Sequence, residues 1–238
     1  MRLVSLIATI SVALATAYVP PNMELPSSWT DVTQTQLTPL EFRSEAASAL
    51  EGKDDVSEAA CIDAASVIHQ HSGSLGCIAF AVRRPGWVLC REEGKAIAEL
   101  AAREDKPLDG FGLFGVVKEV GVDDPGLYDF YNDYFTYPLY KDESQTFYTA
   151  LGTRKLAIST WNPIKMFRGM RNMSKRLSKK NISGNYKGEG IVQGGIIIFD
   201  AAGKARFAYR EETGSEVPVE DIVAVVNELR KEGKSQSS

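Results

Sequence analysis

Two kinds of hydrophobic pattern alternate along this chain: short β-prone runs, and longer stretches with apolar residues three or four positions apart. Cys77-Ile78-Ala79-Phe80-Ala81-Val82 is continuous, apolar and bounded by Gly76, which predicts a buried strand over 77–83. The segment after it is rich in Ala, Glu, Lys and Leu and predicts a helix over 90–103. A second strand is expected over 111–118, then short helices near Asp124–Tyr134 and Ser144–Leu151. Ile196–Phe199 and Arg206–Tyr209 flank a Gly203-Lys204 turn and read as a β-hairpin. Val219, Ile222, Val223, Val226 and Leu229 then form the apolar stripe of a closing helix over 217–231. Upstream, Leu40, Phe42, Ala46 and Leu50, followed by Val56, Ala60, Ala64 and Val67, predict helix from Pro39 to about Gln70. Alternation of this kind predicts an α/β domain with a partly parallel sheet.

The N-terminus carries a different signal. Arg2 precedes an apolar run from Leu3 to Leu14, and Ala15-Thr16-Ala17 suits cleavage, so residues 1–17 are expected to be a signal peptide that delivers the chain to the secretory pathway. The run falls short of the ~20 residues needed to span a bilayer. Tyr18 directly after the cleavage site resembles the bipartite presequence of complex plastids, whereas Glu24, Asp31, Glu41, Glu45 and Glu51 speak against a transit peptide. Plastid and secretory lumen both stay open as destinations. Residues 18–40, rich in Pro, Ser and Thr, are expected to be a flexible leader before a single domain over 41–234.

Composition narrows the function classes. The 238 residues carry a net charge of -4, which gives no overall drive toward nucleic acid or anionic membranes. Three cysteines, Cys61, Cys77 and Cys90, are too few for a disulfide-built scaffold. His69 and His71 stand two apart without further ligands at suitable spacing, and no metal is expected.

The chemistry is expected at Cys90. Pro85 and Gly86 punctuate the turn between strand and helix, so the thiol falls in the first helical turn, with Arg83, Arg84 and Arg91 close by in sequence. Unpaired N–H groups, the helix dipole and these arginines all favour thiolate.

Arg83-Arg84-Pro85-Gly86-x-x-x-Cys90-Arg91-Glu92-Glu93 resembles the redox-site signature of the peroxiredoxin-like branch of the alkyl hydroperoxide reductase/thiol-specific antioxidant superfamily, the branch that includes prostamide/prostaglandin F synthase. The glycine block from Gly184 to Gly195 and Tyr209-Arg210-Glu211 after the hairpin extend the resemblance over roughly residues 75–231. It implies a thioredoxin-like fold: a central mixed sheet flanked by helices, here with an N-terminal helical extension and a basic helical insertion at about 158–182. It also implies thiol-dependent reduction of a peroxide or endoperoxide in an antioxidant role. Cys90 would be the nucleophile, Arg84 and Arg91 would assist it, and no cofactor would be needed beyond a thiol reductant such as glutathione or thioredoxin. Gly194 and Gly195 would let backbone approach Cys90.

The chain departs from the pattern at one position. Members of the branch carry Cys-x-x-Cys here, and Trp87 stands where the first cysteine would be. Cys90 must therefore find a resolving thiol elsewhere. Cys61 and Cys77 are candidates for that role or for a structural disulfide, and burial in a strand is the plain reading of Cys77. Typical peroxiredoxins carry threonine at this position, and an indole N–H cannot replace a hydroxyl that accepts a hydrogen bond. The alternatives are a degenerate thioredoxin-fold binding module and a redox sensor that forms mixed disulfides.

Three further segments read mainly as structure. The glycine block precedes a strand rather than opening a helix, unlike a phosphate cradle. Tyr137-Pro138-x-x-x-Asp142 resembles a packing stretch of the same family. Residues 164–180 form an amphipathic helix with seven cations and no acid. This helix either packs on the domain or lies on an anionic membrane surface, and it lacks base-reading features. Asn172-Met173-Ser174 and Asn181-Ile182-Ser183 are glycosylation sequons that matter only in the endoplasmic reticulum lumen.

Overall fold

The computed structural model describes residues 30–42, 56–153 and 163–236; the expected signal peptide and residues 18–29 of the expected leader lie outside them. In chain order the elements are α1 (Thr30–Gln34), β1 (Gln36–Phe42), β2 (Val56–Glu58), β3 (Ile62–Asp63), α2 (Ala64–His71), β4 (Gly76–Ala81) and α3 (Val88–Ala102). There follow β5 (Phe111–Val117), α4 (Asp124–Asp129) with a π-helical extension over Phe130–Tyr134, β6 (Leu139–Lys141), α5 (Thr146–Ala150), α6 (Pro163–Lys179), β7 (Gly195–Asp200), β8 (Ala205–Arg210) and α7 (Val219–Gln236).

The strands form one mixed sheet in the order β2-β1-β6-β5-β4-β7-β8, with β3 also paired to β1. Strand β4 lies inside it, parallel to β5 and antiparallel to β7. A parallel β4-α3-β5 unit followed by the antiparallel β7-β8 hairpin and a closing helix is the thioredoxin-like arrangement. Because side chains alternate along a strand, β4 supplies both layers of the core. Ile78, Phe80 and Val82 pack with Ile97, Leu100, Val226 and Leu229 under α3 and α7. Cys77, Ala79 and Ala81 face the opposite layer, with Val67, Ile68, Phe147 and Tyr148.

Two expectations are corrected. The helix expected from Pro39 begins as a strand: Gln36–Phe42 pairs with β2, β3 and β6, while Ala46 and Leu50 lie outside the described residues. The helix that does form nearby is Ala64–His71, whose start is fixed by Asp63 accepting the Ser66 N–H. The C-terminal part of the expected leader is likewise ordered, since Thr30–Gln34 is helical and Leu37 is fully buried.

Candidate active site

The turn from β4 into α3 is built by residues 83–87. Trp87 N–H donates to the Arg84 carbonyl (3.0 Å), closing the turn around Pro85 and Gly86. Trp87 is the N-cap of α3 in extended conformation, and its carbonyl accepts the first helical hydrogen bond, from Arg91 N–H. Cys90 therefore sits in the first turn, as the sequence predicts.

Its surroundings differ from the expectation. Cys90 is 0% exposed, packed in the core with the neighbours of Phe80 and Ile97. Burial, reinforced by the Glu211 and Glu93 carboxyl groups, pushes the thiol well above its ordinary range; the Arg84 N–H, 3.4 Å from Sγ, and the Arg83 charge oppose that push without overcoming it. Burial thus works against the thiolate that its helical position and arginines predict. Removal from water outweighs the dipole.

The arginines divide the work in an unexpected way. Arg83 donates to Glu211 (2.8 Å) and Thr213 (2.9 Å) and lies over the Trp87 ring, 3.9 Å from its centroid. Arg84 runs under the glycine block, where a Cβ on Gly190 would fall 1.9 Å from its guanidinium, and its Nε is buried without a partner. Arg91 turns to the other side of the turn: it donates to the carbonyls of Pro85, Ser183 (2.9 Å) and Gly126 and pairs with Asp129 at 3.1 Å. It is a clamp that holds four segments together, and the expectation that it assists Cys90 directly is corrected.

Segment 173–193 lies across the turn like a strap. Leu177, Ile182 and Met173 cover Leu89, Val88 and Trp87. Asn185 N–H donates to the Gly86 carbonyl (2.7 Å), and a side chain at Gly86 would strike Asp123 and Asn185. Lys118, after β5, pairs with Glu189 and donates to the Val192 carbonyl (3.1 Å). Gly194 and Gly195 do not meet Cys90; their missing side chains admit the Ala81 and Tyr209 carbonyls, which closes β7 onto its neighbours. The basic helix is half docked. Arg176 and Lys180 bind the buried Glu92 of α3, whereas Phe167 and Met170 are 70% and 58% exposed beside Arg168 and Arg171.

The other two thiols have different surroundings. Cys77 lies on the opposite face of the sheet from Cys90, its thiol pushed up to about 12 by burial. Cys61 is exposed, with Sγ 3.3 Å from the Thr38 hydroxyl. All three cysteines are free, with Cys61 exposed and Cys77 and Cys90 buried. His71 bonds the Tyr140 hydroxyl at 2.6 Å, and the described residues contain no metal-binding cluster. Asp142 caps α5, accepting the Phe147 N–H (2.9 Å), the Thr146 N–H and the Ser144 hydroxyl, the structural role read for its stretch.

The sequence reading missed Glu92, Glu93 and Tyr148. The two glutamates resemble the exposed charges of any Ala/Glu/Lys helix, yet both are buried. Tyr148 bridges the carbonyls of Val82 (2.7 Å) and Val116 (3.0 Å), fixing the strand ends beneath the turn.

Residues 97–213 match the family model of the AhpC/TSA antioxidant enzymes. The chain is 31% identical over 157 residues to Peroxiredoxin-like 2A of Danio rerio, covering 65% of this chain and 69% of that protein. It is 29% identical over 153 residues to prostamide/prostaglandin F synthase of Homo sapiens, covering 63% and 74% of the two chains. Among solved structures, Xylella fastidiosa PrxQ aligns with a TM-score of 0.49 at 12% identity, covering 89% of this chain and 98% of that one.

Proposed function

The chain belongs to the AhpC/TSA family, among its peroxiredoxin-like members, and on that premise we propose that it is a thiol oxidoreductase whose Cys90 reduces a peroxide or endoperoxide in an antioxidant role. The observation that carries this reading is the position of Cys90: first turn of α3, Sγ facing the Arg84 N–H, with Arg83 beside it. For a hydroperoxide, the Cys90 thiolate attacks the terminal oxygen and the O–O bond breaks. The alkoxide leaves and takes up the proton that the thiol gave away, so the products are an alcohol and Cys90 sulfenic acid. An external thiol then attacks the sulfenic sulfur, releasing water and forming a mixed disulfide that a second thiol reduces. Trp87 in place of the family's first cysteine and the burial of Cys77 on the opposite face of the sheet favour a thiol supplied from outside.

Burial of the resting thiol means that the turn or the strap must move before a peroxide reaches Sγ. The same burial favours the second reading, a thioredoxin-fold module or redox sensor whose thiol no longer turns over. Incubating the folded protein with cumene hydroperoxide and dimedone, with Cys90→Ser as control, separates the two. A dimedone adduct on Cys90 supports the oxidoreductase; an adduct that forms only after denaturation overturns it in favour of the binding module.

A further inference from the structure

Four polar groups meet in the buried space beneath the turn, from three different elements. Arg83 follows β4 and is 3% exposed; Cys90 and Glu93 lie one helical turn apart on α3 at 0% and 6%; Glu211 follows β8 at 1%. One cation faces two carboxyl groups and a thiol. Both oxygens of Glu211 receive donors, Oε1 from Arg83 (2.8 Å) and Oε2 from the Gly194 N–H (3.1 Å), which identifies Glu211 as the carboxylate. No lysine or arginine pairs with Glu93 among the described residues. A second unpaired anion beside Glu211 at this burial would carry a large desolvation cost, so Glu93 keeps its proton. Burial and Glu211 both hold its carboxyl well above the carboxylate range, with Arg83 opposing.

We propose that Glu93 is a positioning residue that sets the ionisation of Cys90: as a neutral acid it leaves the thiol facing Arg83 and the Arg84 N–H, and on losing its proton it closes off the thiolate. The inference rests on the reading of Cys90 as the reacting thiol. The other groups that face this space are Glu92 on α3, held by Arg176 and Lys180, Tyr209 on β8 and Tyr148 on α5. None of them supplies a cation. Among the described residues, Arg83 is therefore the positive side chain for which Glu211, Glu93 and Cys90 compete.

The test is the pH dependence of iodoacetamide alkylation at Cys90, read by mass spectrometry, in the wild type, in Glu93→Gln and in Glu99→Gln, an exposed position on the same helix. Glu93→Gln keeps the shape of the neutral acid and cannot ionise. It is expected to lower the alkylation midpoint by about one pH unit, roughly tenfold in rate on the rising limb, while Glu99→Gln leaves it unchanged. An unchanged or raised midpoint in Glu93→Gln overturns the inference. Alkylation needs no peroxide, so a lowered midpoint in a protein that forms no sulfenic acid would sink the oxidoreductase reading and leave the inference standing. Should Glu93→Gln fail to fold, carbon-13 NMR of the wild type decides: the Glu93 carboxyl is expected to be protonated at neutral pH, and an ionised signal overturns the proposal.

Discussion

Glu92 takes both Nε and the terminal nitrogen of Arg176, at 2.9 and 2.8 Å, in a side-by-side pair that ties α3 to the strap 84 residues further on. Lys180 reaches the same carboxylate at 2.7 Å and Glu216 at 2.6 Å, making a small network at one end of the strap. A planar fork on a carboxylate is more directional than a lysine point charge, so Arg176 fixes the geometry. Arg176→Ala is expected to cost about 1–3 kcal/mol in urea unfolding, because buried Glu92 keeps only Lys180. It should also speed alkylation of Cys90 in the folded protein severalfold, since the strap is then held at fewer points. Equal alkylation rates in variant and wild type would mean that access to Cys90 runs past some other segment.

Trp87 occupies the position of the family's first cysteine, and Trp87→Cys restores the pair. Treatment with hydroperoxide should then close a disulfide with Cys90, detected as the loss of two hydrogens from the tryptic peptide and as loss of the dimedone adduct. The half-buried indole also packs on Arg83, so a stability loss of about 2 kcal/mol is expected alongside. A persistent dimedone adduct in the variant would show that the two positions are not brought together.

Cys77 makes a pH-dependent contribution to stability. Its thiol is held from 9.0 up to about 12 by burial, so the folded chain keeps a proton that the unfolded chain releases. The stability tied to that proton is full below pH 9 and falls as pH rises toward about 12, by at most ~4 kcal/mol for the three-unit difference. Cys77→Val removes a titrating group and keeps an apolar one, so its urea midpoint should fall less steeply than wild type above pH 9. Parallel pH profiles would contradict this.

Asp142 is wholly buried and satisfies two backbone N–H groups at the start of α5. Asp142→Ala is expected to cost about 1–2 kcal/mol in thermal or urea unfolding. Because α5 carries Tyr148, which holds the Val82 and Val116 carbonyls under the turn, the same variant should raise hydrogen exchange at both strand ends. Unchanged exchange there would limit Asp142 to its own helix.

Periodicity made the elements that carry the site legible, because β4, α3, β5 and the β7-β8 hairpin are each dominated by one burial pattern. Gln36–Phe42 was not legible: Pro39 in its middle argues against a strand, yet it pairs opposite Tyr140 and its carbonyl accepts the Ala59 N–H. The position of Cys90 could be read, and its ionisation could not. A dipole and nearby arginines are visible in one dimension, whereas desolvation and the Glu211 carboxylate arrive from partners distant in sequence. Arg91, Glu92 and Glu93 show the same limit, three consecutive charges that look solvated and are all buried by segments the local pattern does not name.

The pairing of Gly76–Ala81 with Gly195–Asp200 has a consequence for the history of each molecule. Arg83 meets Glu211 across 128 residues, and the strap lies between them in sequence. Contacts of such long range form late in folding. Until then Cys90 is an ordinary thiol on an open chain, with the reactivity of any free cysteine. Newly made protein is thus the form most exposed to indiscriminate oxidation, and completion of the fold takes the cysteine out of reach of casual chemistry.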